Sequence, residues 1–164
     1  MNWNQLLPDL CRQAHATAAE KGFWDPEPSL ARSRMLLLGE LSELYEAVRK
    51  GQESVPCQKI PEMTCAEEEL ADIAIRLFDF CAGHDLELRA ESNKISFGFD
   101  RTCVYLARSC LKIEKFPTTH VGDVFFFVRS LAFELGVDEP RLLWCIRRKM
   151  AYNETRPHKH GRRF

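Results

Sequence analysis

Two acidic pairs stand out for their spacing: Glu40-x-x-Glu43, and further on Glu69-x-x-Asp72. On a helix, residues three apart lie roughly 60° from one another, so each pair projects to one side. The first pair edges the apolar stripe Leu37, Leu41, Leu44 and Val48, and the second edges Ile73, Leu77 and Phe80. Two helices packed through those stripes would bring four carboxylates together beside the core. Like charges so placed repel, more so when partly buried, unless a cation joins them. Hard divalent ions with oxygen ligands remove that cost, which points to magnesium, with manganese as its substitute, rather than zinc. Such an ion keeps positions open for phosphate oxygens and a water. A solvated helix face also carries Glu-x-x-Glu, so the argument rests on two such pairs, each bordering an apolar stripe. Glu46, Glu67, Glu68 and Asp79 read as solvated or capping residues. A di-iron bundle would use Glu-x-x-His, but Glu46 stands three after Glu43 and Ile75 three after Asp72, and no histidine falls at ligand spacing.

A second group of polar residues lies near the end of the chain. Lys149, Asn153 and Arg156, at i, i+4 and i+7, share a face if the helix persists, offering a point charge, an amide and a guanidinium fork to phosphate oxygens. The other reading is a solvated last turn whose cations favour the helix dipole. Phe23 and Trp24, after the Gly22 break, either stack on a nucleobase or plug the top of a bundle. Lys21 is a candidate phosphate or base contact, and His15 reads as a satisfied helix histidine. Charge is divided along the chain. From Glu40 to Asp72 there are nine acids and three bases, and from Arg141 onward eight bases and one acid. An acidic centre with a basic tail suits a site for metal and polyphosphate, or a module gripping nucleic acid or a protein through that tail. The tail, His158 to Arg163, either folds over the site or moves freely.

The elements that would position these residues are helices. Leu6, Leu10, Ala14 and Ala18 mark a first helix from about Asn4 or Pro8 to Lys21. A second begins near Ser29 and stops at Lys50-Gly51. Residues 52–63 hold Pro56 and Pro61 and read as a loop. Thr64 and Glu67 form a capping box for a third helix, from about Cys65 to Ala82. Helical patterning resumes at Thr102 to Lys115, Val121 to Leu135 and Pro140 to Asn153, with Asp138 as a cap. Phe125-Phe126-Phe127-Val128 could be a buried strand, but the apolar period continuing to Leu135 favours helix. The chain is expected to be one all-α domain over 1–164. Lys94-Ile95-Ser96-Phe97 with Arg101 echoes Lys149-Met150-Ala151-Tyr152 with Arg156. The echo suggests two degenerate helical halves, about 1–95 and 96–164, or chance likeness between amphipathic helices.

Seven cysteines, an odd number with no CxxC pair, read as reduced core thiols of a cytoplasmic protein. No stretch reaches the roughly 18 apolar residues of a membrane span. Met1 to Cys11 lacks the basic and apolar blocks of a signal peptide.

The chain resembles the MazG-like all-α nucleoside triphosphate pyrophosphohydrolases. The likeness rests on His15 with Lys21-Gly22-Phe23-Trp24-Asp25, on Leu38-Gly39-Glu40-Leu41-Ser42-Glu43-Leu44, and on Glu68-Glu69-Leu70-Ala71-Asp72-Ile73 with Ile75-Arg76. The ending, Lys149 to Gly161 with its Lys-Asn-Arg spacing, adds to it. The resemblance implies a helical bundle that cleaves NTP or dNTP between the α- and β-phosphates, releasing a monophosphate and pyrophosphate. It implies magnesium on Glu40, Glu43, Glu69 and Asp72, attack by water, and a homodimer or homotetramer. Many members carry a further glutamate where this chain has Gly39, which leaves the general base open. The preferred base and sugar are set by pocket shape and are not readable from spacing.

Overall fold

The computed structural model describes residues 1–91, 95–115 and 117–161. Among these, α1 spans Trp3–Glu20, α2 Leu30–Arg49, α3 Cys65–Gly83, α4 Phe99–Lys112, α5 Pro117–Glu134 and α6 Glu139–Glu154, followed by a short 3-10 turn at His158–Gly161. The chain is all-helical there, and 125–128 lie within α5 rather than in a strand. No helix among the described residues is long and apolar enough to cross a membrane. Lys94, on which the internal echo rests, and Arg162 and Arg163 of the tail lie outside the described residues.

Local chemistry fixes the helix starts. The Ser29 hydroxyl accepts from the Arg32 amide at 3.2 Å, and the Asp138 carboxylate from the Arg141 amide at 2.8 Å. Thr64 and Glu67 complete the expected capping box, with Glu67 accepting from the Thr64 amide at 2.8 Å. The start of α4 is served from outside. Glu134 Oε1, at the end of α5, accepts from the amides of Phe97 and Gly98 and from the hydroxyls of Ser96 and Thr102.

The hub is α3, packed against α1, α2, α5 and α6, while α4 packs on α5 and α2. Leu70, Ile73, Ala74, Leu77, Phe78 and Cys81 of α3 are fully enclosed, as its place between four helices requires. All seven thiols are unpaired and six are buried; burial pushes those of Cys11, Cys103, Cys110 and Cys145 up to about 12. They are inert core groups.

The polar face of α3 carries Glu69, Asp72, Arg76 and Asp79, and the last three line a cleft walled also by α1, α2 and α6. The C-terminal segment packs on the turn that follows α1. The Lys159 amide donates to the Lys21 carbonyl at 2.7 Å, and its ammonium donates to the Asp25 carbonyl at 2.9 Å. The His158 ring lies so close to Gly22 that a Cβ there would stand 2.0 Å from its Nε2, and Gly22 also has φ +81°. Glycine is the residue that meets both demands.

Candidate functional site

The cleft is lined by Glu40 and Glu43 from α2, Asp72, Ile75, Arg76 and Asp79 from α3, and Ala14, Thr17 and Ala18 from α1. Phe23, Lys59, Met150, Asn153 and Arg156 complete it. Three of the four paired acids, Glu40, Glu43 and Asp72, therefore line the cleft, and Glu69 lies beside it. Carboxylate oxygens of Glu40, Glu43 and Glu69 all lie within 4.8 Å of one another. Glu43 is exposed at the mouth, Glu69 is intermediate and Glu40 is buried. Arg76 Nε donates to Glu40 Oε1 at 3.0 Å, the one direct basic partner that this trio has among the described residues. Glu69 Oε2 is enclosed and unpartnered. Burial, and the charges of Asp72, Glu43, Glu40 and Glu68, push the Glu69 carboxyl up to about 8.

Asp72 stands apart from the trio. Its Oδ2 lies 2.7 Å from the Lys149 ammonium. Burial pushes the Asp72 carboxyl up, Lys149 opposes this, and Glu40 adds to it. Lys149 is 1% exposed and also donates to Glu68 Oε1. Lys59 reaches the same oxygen at 3.1 Å, and the Cys57 thiol donates to Glu68 Oε2 at 2.7 Å. Burial alone would raise the Glu68 carboxyl, but hydrogen bonds from Cys57, Lys149 and Lys59 bring it down to about 2. The expectation that Glu68 is solvated is thus corrected: it is the buried anchor of a charged network. Asp79, also expected at the surface, is largely covered. It sits 2.9 Å from His15 Nδ1 and accepts from Trp24 Nε1 at 2.8 Å. Glu67 caps as expected and also pairs with Arg141 at 2.6 Å, and Glu46 stays on the surface with Arg49 and Lys50.

The remaining sequence candidates divide. Asn153 is 9% exposed, lines the cleft, and has an amide oxygen without a hydrogen-bond partner. Arg156 lines it too, but α6 ends at Glu154, so the helix does not persist to Arg156 and that residue reaches the cleft from beyond the Thr155 cap. Lys149 is spent on acids rather than aimed into open space. Trp24 packs inward: its ring fills the place where a Gly83 Cβ would stand, 2.0 Å away, and it meets His15 edge-on at 4.6 Å. Phe23, with the Arg76 guanidinium 5.8 Å from its ring centre, lines the cleft instead. Lys21 points to Glu20 at 3.5 Å and does not line the cleft. Gly39 faces open space, so nothing crowds the position where a further glutamate would stand.

Arg76 received no role from the sequence and Asp79 no site role, though four and seven residues after Asp72 they fall on its helix face, and that period was the signal. Lys59, in a loop, had none. Much of the basic tail is used internally: Arg141 on Glu67 and the Glu62 carbonyl, Arg148 on Glu62 at 3.4 Å, Lys149 and Lys159 as above. No family model, curated protein or solved structure matches the chain.

Proposed function

We propose that the chain is a metal-dependent nucleotide pyrophosphohydrolase of the MazG-like all-α type, converting an NTP or dNTP to the monophosphate and pyrophosphate. The observation that carries this is the convergence of Glu40, Glu43 and Glu69 beside a cleft that Asn153 and Arg156 also line. The donor set fits a hard divalent ion, because every donor is a carboxylate oxygen and Glu69 Oε2 has no other partner. Magnesium bound there would neutralise triphosphate charge and acidify a coordinated water.

The chain's own residues supply the positioning that phosphoryl transfer mainly requires. Arg156 offers two parallel donors to phosphate oxygens, and the Asn153 amide can turn its nitrogen toward another. Arg76 fixes Glu40 in a single orientation, so the trio is pre-arranged for its cation. Phe23 supplies an apolar wall against which a base or sugar can rest. Internal pairing of the basic tail disfavours the nucleic-acid reading, and the enclosed unpaired thiols fit a reducing, cytoplasmic setting. Homo-oligomerisation, as the resemblance implies, is supported by exposed Val104 and Leu111, which are seven apart on one face of α4.

A panel of common and damaged nucleotides, assayed for pyrophosphate release with and without magnesium, tests this reading. Release from at least one triphosphate, dependent on magnesium and lost in Glu43→Gln with helicity intact by circular dichroism, is the expected outcome. No release across the panel, or full activity in Glu43→Gln, overturns it.

A further inference from the structure

The site contains more basic charge than its acids alone foretell. Five carboxylates meet there: Glu40, Glu43 and Glu69 in the trio, with Asp72 and Glu68 beside them. Three basic groups pair with them directly, Arg76 on Glu40, and Lys149 and Lys59 on the other two. Fully ionised, the cluster keeps two negative charges, the charge of one divalent ion. The distribution is uneven. Asp72 and Glu68 share two ammonium groups and a thiol donor, so their half is balanced. The trio holds a single guanidinium, so the deficit lies there.

Lys149 occupies the balanced half as an ion would. It is 1% exposed, it lies in the middle of α6 rather than at an end, and its ammonium bridges carboxylates from two successive turns of α3. A flexible lysine could snorkel to solvent from a looser position, but here the stem is enclosed and the head has two anionic partners. Two-metal phosphoryl-transfer sites place a second ion beside the first. We propose that Lys149 is a resident cation standing in for such a second ion, so that the site takes one divalent ion on Glu40, Glu43 and Glu69 with Asp72 outside its ligand set. The inference rests on the metal site proposed above.

The test is stoichiometric and needs no turnover. Manganese binding to the full chain is counted by titration calorimetry and by the loss of free-ion paramagnetic resonance signal. One ion per wild-type chain is expected, and two for Lys149→Met, which frees Asp72 and Glu68 as oxygen donors. Should Lys149→Met not fold, Asp72→Asn decides: it is expected to keep one ion with less than about tenfold weakening, below the loss typical of removing a group that orients a metal ligand. Two ions on the wild type, one ion on folded Lys149→Met, or loss of the ion in Asp72→Asn overturns the role of Lys149 while leaving a metal site standing. No ion on the wild type removes the metal reading itself, and this inference with it.

Discussion

Replacing Glu69 by glutamine separates the carboxylate's cost to the fold from its use. Without metal, the Glu69 carboxyl is raised from 4.5 to about 8 by burial and by its acidic neighbours. An acid raised in the folded state holds its proton after the unfolded chain has released its own. Stability is therefore full below about pH 4.5 and falls as pH climbs toward 8. At about 1.36 kcal/mol per pH unit the ceiling of that loss is roughly 5 kcal/mol. Partial solvent access to Glu69 and relaxation of its neighbours reduce this to about 2 kcal/mol. Glu69→Gln removes the titration and keeps the shape. With chelator present the variant should match the wild type at pH 4.5 and melt roughly 4–8 °C higher at pH 8, using about 2–4 °C per kcal/mol for a chain of this size. With saturating manganese the order should reverse, because only the wild type gains stability from the ion. Melting curves by circular dichroism at both pH values, with chelator and with manganese, give the four numbers needed. Parallel pH profiles for the two proteins, or an equal gain from manganese in both, would refute the reasoning.

Other consequences follow from single contacts. Gly83→Ala puts a methyl group into the Trp24 ring and should cost about 1–3 kcal/mol by overpacking, seen as a lower urea midpoint together with a changed tryptophan emission. Gly39→Ala, in the interior of α2 with open space before it, should stabilise the protein by about 0.5–1 kcal/mol; a lower midpoint in urea would contradict this. Thr64→Ala removes the hydroxyl half of the capping box and should cost about 1 kcal/mol, measurable by the same titration. Asn153→Ala should leave the fold and manganese affinity nearly unchanged but lower kcat/KM for triphosphate, and unchanged kinetics would remove Asn153 from the substrate wall.

Much of the architecture was legible because helices announce themselves locally. Thr64 with Glu67, Asp138 before Pro140, and Gly51 after Lys50 are punctuation that acts within one turn, and the observed bounds fall within a few residues of those expected. The acidic pairs were legible for the same reason, since i, i+3 spacing beside an apolar stripe determines a direction. What escaped was set by tertiary packing. Glu67, Glu68 and Glu69 are consecutive and fan over an arc of roughly 200°, so nothing local says that one pairs with Arg141, one anchors Lys149 and Lys59, and one joins Glu40 and Glu43. Lys149 resembles any basic residue on an amphipathic helix until Asp72 and Glu68 are seen opposite it. Trp24 could equally have met a base or a glycine, and only the approach of α3 at Gly83 decides. Lys59 enters from a loop, where no period constrains it.

A crystal grown with manganese and a non-hydrolysable α,β-imido nucleoside triphosphate would show where the ion and the phosphates sit. An anomalous manganese peak is expected among the carboxylates of Glu40, Glu43 and Glu69, with phosphate oxygens between it and Arg156. Manganese bound elsewhere on the chain, or a cleft that holds neither ion nor triphosphate in such a crystal, would contradict the proposed site.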